Sequence, residues 1–367
     1  MGWIALATRA GGQFRPGGLG SAAPVAPMPP PGTVLPRGTL MIETRPTREP
    51  RHQATLLEFA RTCPREGRLA LRLLAAGEVA LVDDAGTEPA ADLPRVRLPV
   101  RSDDADAGLR ITYGWDVPAR WGRLTLERPG ALGLSSVRMA APHPIALADL
   151  HRAFSDPRRR RMDGQVIFAA LSDRIEPVGP MPGLAGHVPV RVPGGHVPVA
   201  RLRRGDRVIG AGGAPVPVLQ AVAHTVPALG SLAPVRLRAP WFGLRDDLVM
   251  AAHQRLVIPG PDVEYLFGCE AVLVPVGHLV NGISALPEPS APVVRYHGLV
   301  LPEHDAIEAA GVPVETLHLG RMRRSPGAVA LTLLKGIAPA ELPEHAGAGW
   351  PVLRRDEAIA LAMGRGD

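Results

Sequence analysis

Gly183-Leu-Ala-Gly-His187-Val-Pro-Val-Arg-Val-Pro193-Gly194-Gly195-His196-Val-Pro198-Val199-Ala-Arg-Leu202-Arg-Arg-Gly205-Asp206-Arg207-Val208-Ile209 is the stretch on which the reading of this chain turns. Val188, Val190 and Val192 recur at period two, which puts one face of a strand into a core. Pro193-Gly194-Gly195 then interrupts the run with turn-forming residues, and a second apolar alternation follows. Gly205 stands where the chain needs a positive-φ turn, a conformation that most side chains resist. The segment reads as the opening of a compact all-β domain.

Taken with the blocks downstream, this segment resembles the start of bacterial Hint (hedgehog/intein) domains. In that family a cysteine begins the domain, a strand and a Pro-x-Gly turn follow, and a PVxxLxxGDxV run comes next. Pro198-Val199, Leu202, Gly205-Asp206 and Val208 match that run. Pro234 to Leu237, Asp247-Leu248-Val249 and Gln254 to Ile258 look like the second block, a strand, Ser/Thr-x-x-His and an apolar strand. Glu270 to Pro275 with His278-Leu279-Val280, then Val294 to Asp305 and Glu315-Thr316-Leu317, resemble the closing blocks. The resemblance implies a Hint-type β-horseshoe domain over residues 183–320.

The resemblance also implies a chemistry, and the residues present do not supply it. In active Hint domains the first Cys or Ser attacks the carbonyl preceding it, which requires a thiol or an activatable hydroxyl. Gly183 stands at that position, and Met181, Pro182, Leu184 and Ala185 around it carry no nucleophile. The Ser/Thr-x-x-His that polarises the scissile amide aligns with Ala251-Ala252-His253-Gln254. Ala251 has lost the hydroxyl and Gln254 the imidazole. His253 lies beside the lost imidazole, but neighbours on a strand face opposite sides, so it is not expected to replace it. The terminal His-Asn of inteins is also absent. The expectation is a domain without self-cleavage, used as a structural or interaction module and not as an enzyme. Two rivals stand beside it: an autoprocessing element with displaced catalytic residues, and a carbohydrate-binding protein working through the N-terminal half.

His297 and His304, with His278 or His318, suggest a metal site, but none of them shows a compact ligand spacing. They are read as hydrogen-bonded structural residues, so no metal and no cofactor is expected. Asp246-Asp247 is read as a turn into the following strand.

Before this domain, short runs at period two (Thr39 to Thr44, Leu69 to Leu73, Val79 and Leu81, Val96 to Val100, Leu109 to Trp115) are separated by Gly, Pro and Asp turns. They predict an antiparallel β-sandwich over 38–145. Leu109 to Tyr113 followed by Trp121 to Glu127 resembles laminin-G-like or concanavalin-like sandwiches. A lectin reading would want Trp115 or Trp121 exposed, or calcium at Asp103, Asp104 and Asp106, which are read instead as a solvated loop. Residues 1–37 are read as a flexible Gly/Pro/Ala leader. Residues 146–182 are read as a connector of helix, strand and Pro-rich break that includes the solvated run Arg158 to Arg161. Residues 321–367 are read as a helical C-terminal extension, with helices over Gly327–Ile337 and Asp356–Met363.

Composition narrows the function classes. The chain has 367 residues, 46% of them hydrophobic, enough for two domains each with its own core. The net charge is +6, yet every basic residue except Lys335 is arginine, a bias that points to GC-rich coding rather than to an acidic partner. No basic patch is interleaved with aromatics, so no nucleic-acid partner is expected; a protein partner of unknown identity is. Cys63 and Cys269 lack CxxC neighbours and are read as small hydrophobes rather than a bridge. No apolar run of about 18 residues is present, so no membrane span is expected. Met1 to Ala7 is too short and lacks the basic start of a signal peptide, which implies a cytoplasmic or non-classically secreted protein.

Overall fold

A computed structural model describes the chain except residues 1, 22–26, 28, 31, 46–52, 64–65, 76, 85–95, 101–107, 289–290, 346–348 and 365–367. The acidic group Asp103, Asp104 and Asp106 lies outside the described residues. The chain forms two compact units, Met1–Val178 and Gly179–Asp367.

The first unit is an antiparallel β-sandwich. One seven-stranded sheet runs, in spatial order, Leu134–Ala140, Trp121–Glu127, Leu109–Asp116, Arg37–Thr44, Val166–Ser172, Trp3–Ala7 and Gly12–Phe14. A five-stranded sheet runs Arg160–Arg161, Ala54–Arg61, Gly67–Leu73, Glu78–Asp84 and Val96–Pro99. Leu40, Ile42, Ile111, Tyr113 and Leu124 from the first sheet share one core with Leu57, Leu69, Leu71, Val79 and Leu81 from the second. The period-two runs of the sequence put these residues on the inner faces.

Two segments depart from the expectation. The residues read as a flexible leader carry the strand Trp3–Ala7, all five of whose residues are buried, between Val166–Ser172 and Gly12–Phe14. A continuous apolar run of this length suits a central strand covered on both faces, a fate that alternation alone does not reveal. The segment read as a connector carries its expected strand, but that strand, Val166–Ser172, lies within the sandwich sheet, bonded to Arg37–Thr44 and to Trp3–Ala7. The arginine run is only partly solvated. Arg158, Arg159 and Arg161 are exposed, but Arg160 is buried and donates to the carbonyls of Ala153, Phe154, Thr8 and Gly11. It thereby satisfies carbonyls at the C-terminal end of the helix Leu147–Ser155, which have no partners within the helix.

Charges are buried only in company. Arg61 bonds Asp83, and His143 approaches the second oxygen of that carboxylate at 3.2 Å. Burial alone would raise the Asp83 pKa; the hydrogen bond from His143 and the charge of Arg61 outweigh it and hold the carboxyl below its ordinary 3.8. A carboxyl depressed in the folded state stabilises above its unfolded pKa and loses that contribution as pH falls through the folded value. Asp83→Asn should therefore cost about 3 kcal/mol near neutral pH, with the gap to wild type closing as pH falls through the lowered carboxyl pKa. Denaturant midpoints across that range check it, and a pH-independent gap would contradict the linkage.

The second unit contains two six-stranded antiparallel sheets. The first orders Gln220–Pro227, Val293–Val300, Leu184–Ala185, Leu248–Ala251, Pro234–Leu237 and Ala285–Pro287. The second orders Gly195–Pro198, Pro189–Val192, Ala306–Ala309, Val312–Glu315, Arg255–Pro259 and Ala271–Pro275. Val188, Val190, Val199, Leu202 and Val208 enter one core with Leu248, Leu256 and Val274. Gly205 has φ +92°, the turn required of it by the sequence reading, and its N–H donates to Val218. Asp247 accepts from the Ala239 N–H at the turn before its strand and pairs with Arg236.

The tail is less helical than its apolar pattern suggests. A helix forms over Pro326–Val329 only, whereas Gly327–Ile337 was the expected span. The Thr332 hydroxyl donates to the Val329 carbonyl and accepts the Leu334 N–H, offering the backbone a turn in place of further helix. The second helix, Arg355–Gly364, covers the expected Asp356–Met363.

Candidate functional site

Gly183 leads into the short strand Leu184–Ala185, held between Leu248–Ala251 and Val293–Val300. Its carbonyl accepts the Ala251 N–H at 2.7 Å, which ties the domain's opening residue to the Ala251–Gln254 segment. The structure therefore brings together the positions that the sequence singled out. Ala251 is fully buried and offers only a methyl group.

Gln254 occupies the space in which a side chain at position 183 would stand. A Cβ on Gly183 would overlap Gln254 Oε1 and fall 2.7 Å from Gln254 Cβ, closer than such atoms approach. The glutamine is fixed there, because its Nε2 donates to the Glu315 carbonyl at 2.8 Å. A side chain at position 183 has no room beside Gln254 as it stands.

His253 lies differently from the expectation. The strand ends at Ala251, and Ala252 and His253 form a turn closed by the Gln254 N–H on the Ala251 carbonyl. The alternation of a strand does not extend to these positions, so His253 and Gln254 both reach the opening segment. His253 Nε2 lies 3.2 Å from the Met181 carbonyl and Nδ1 lies 2.9 Å from the Ser231 carbonyl. A neutral imidazole donates once, so only the doubly protonated ring satisfies both carbonyls. The Ser231 loop is itself held by the buried Tyr296, whose hydroxyl donates to Leu232 at 3.0 Å.

Of the histidines considered for a metal, His297 and His278 lie apart from His304 and His318. His297 packs against Gly186, where a Cβ would come within 3.1 Å of its Nε2. His304 and His318 stack with ring centroids 4.0 Å apart. His304 Nε2 meets Glu315 Oε1 at 2.9 Å, and Arg255 reaches the same oxygen at 3.0 Å. Burial would raise the Glu315 pKa, but the His304 hydrogen bond and the Arg255 charge bring it below the usual carboxylate range. Burial, with His304 alongside, pushes His318 down to about 4, so its ring is neutral at pH 7. The sequence reading placed Glu315 only as a family landmark and missed Arg255 and His345, because nothing in their local spacing marks them.

Both cysteines are free thiols, and neither is fully buried. Trp115 is fully buried and donates its indole N–H to the Leu35 carbonyl at 3.1 Å. Trp121 is half-buried, with the Arg123 guanidinium 5.2 Å and that of Arg138 6.0 Å from its ring. Among the described residues no helix is long and apolar enough to cross a membrane.

The Hint domain family model matches residues 182–321. The MchDnaB-1 intein is 20% identical, over 36% of this chain and 98% of its own, with a TM-score of 0.24. The Msm DnaB1 intein splicing domain bound with zinc is 19% identical over the same shares, with a TM-score of 0.25. The Ruminococcus gnavus IT-sialidase CBM40 bound to alpha2,6 sialyllactose is 16% identical over 37% of this chain and 64% of its own, with a TM-score of 0.20. None of the curated proteins compared matches the chain. The ordered blocks of sequence and the family match over residues 182–321 agree, and the second unit of this chain carries a Hint domain.

Proposed function

We propose that this Hint domain has kept its fold without self-cleavage and serves as a structural or interaction module beside the β-sandwich, with a protein as its partner. The observation that carries the reading is Gln254, whose side chain fills the nucleophile's place and is anchored on Glu315. Acyl transfer needs a nucleophile in near-attack geometry, and here neither the atom nor the space is present.

One observation favours a second reading, an autoprocessing element with displaced residues. His253 touches the Met181 carbonyl, one peptide ahead of the Pro182–Gly183 bond, and as a cation it would polarise that carbonyl toward water. A time course of the full-length chain and of His253→Ala, followed on denaturing gels, separates the two. The first reading expects both to remain one band; two fragments from wild type that vanish in His253→Ala would establish the second. Carbohydrate binding through the sandwich is the weaker alternative, since Trp115 is enclosed and only Trp121 of the two tryptophans reaches solvent.

A further inference from the structure

Two neighbouring histidines in the second unit are left unsatisfied, whereas a third close by is not. His345 uses both ring nitrogens: Nδ1 accepts the Leu319 N–H at 3.1 Å and Nε2 donates to the Leu301 carbonyl at 3.1 Å. That is the usual state of a buried structural histidine. His304 and His318 differ. His304 Nδ1 and His318 Nε2 are buried and have no hydrogen-bond partner among the described residues. The His304 side chain is only 3% exposed. A merely structural role leaves both nitrogens without a purpose.

The third group is Glu315. One donor atom from each of His304, Glu315 and His318 can be chosen so that all three lie within 4.8 Å of one another. They come from the turn before Ala306–Ala309, from the end of Val312–Glu315 and from the residues just after it, so one hairpin positions all three. Two imidazoles and one carboxylate form a donor set that suits a borderline divalent cation such as Zn²⁺, and three protein ligands leave a fourth position for water. Arg255, on the same carboxylate, would serve as the outer partner that orients a ligand and offsets its charge.

We propose that His304, Glu315 and His318 form a binding site for a divalent transition-metal cation of zinc's class. The site lies directly behind the filled nucleophile position, because the Glu315 carbonyl is the group that anchors Gln254. A bound cation would fix the closing hairpin, whose Glu315 carbonyl anchors Gln254.

The experiment uses the full-length chain stripped with a chelator and titrated with Zn²⁺ alone at neutral pH, with calorimetry and a competing chromophoric chelator as readouts. The expected result is one zinc per chain, with at least about a tenfold loss of affinity in His318→Ala and no change in His196→Ala, a substitution at an exposed hairpin position. His318 is only half-buried, so its removal is the mildest of the three. X-ray absorption on the wild-type zinc complex gives a reading that does not depend on any variant folding, and two imidazoles in the metal shell are expected. A folded wild type that binds no zinc, unchanged affinity in folded His318→Ala, or a shell containing sulfur or fewer than two imidazoles would each overturn the proposal.

Discussion

Arg110→Ala is expected to unfold the N-terminal sandwich under conditions in which wild type is native, at a cost of about 3–5 kcal/mol. Arg110, Glu43 and Glu127 are directly opposite one another on three neighbouring strands, and all three are buried. The guanidinium donates to Glu127 at 2.8 Å and to Glu43 at 3.3 Å. Burial alone would lower the Arg110 pKa, but the two glutamates hold it above its ordinary value. Deleting the arginine leaves two like charges facing each other out of water, which is why the effect exceeds that of an exposed ion pair. The contrasting variant is Arg110→Met with Glu43→Leu and Glu127→Leu, which replaces the whole group by apolar residues and should recover most of the loss. Denaturant unfolding of both variants, followed on the sandwich's tryptophans, checks the pair of outcomes. Equal stability of Arg110→Ala and wild type would contradict the burial argument.

Gly183→Cys has the second large effect, and it acts on stability before chemistry. Its Cβ would stand 2.7 Å from Gln254 Cβ, an overpacking that costs about 1–3 kcal/mol. If the Gln254 side chain swings away, it gives up its bond to the Glu315 carbonyl, worth about 1 kcal/mol. Gly183→Cys combined with Gln254→Gly removes the obstruction and should regain stability relative to the single variant, a non-additivity that a double-mutant cycle measures. Gly183→Cys with Ala251→Thr and Gln254→His supplies the family's groups but keeps a Cβ at position 254 against the one at 183, so thiol-dependent scission ahead of residue 183 is expected only slowly, after the turn shifts. The single variant should give none, because its amide stays unpolarised. If Gly183→Cys matched wild type in stability, Gln254 would not be the plug described here.

The parts of this fold that sequence reveals are those where local pattern and burial coincide. Val188, Val190, Leu202 and Val208 alternate into the core as their spacing demands, and Gly205 adopts the positive φ that its place implies. Patterns were less informative where the structure overrides them. Trp3–Ala7 is buried on both faces because it lies mid-sheet, and such a strand has no alternation to read; Val166–Ser172 was legible as a strand but not as a member of the sandwich. Arg160 looks like its three exposed neighbours in sequence, and only the carbonyls converging on it set it apart. At the site, the residue types at positions 183, 251 and 254 were legible directly. The filling of the vacancy by Gln254 was not, because it depends on how a turn after Ala251 aims a side chain across to Gly183. His304 and His318 stood among the histidines the sequence offers for a metal, but the convergence of Glu315 on them was hidden, since the spacing of the three carries no ligand signature.

The most direct measurement of whether the domain is sealed is the intact mass of the purified full-length wild-type chain after prolonged incubation with dithiothreitol or hydroxylamine. Either reagent would intercept an acyl intermediate at the start of the Hint domain. The account predicts a single species at the full-length mass in both reagents, identical to the untreated chain. A pair of fragments dividing at Met181–Pro182 or Pro182–Gly183 would contradict it.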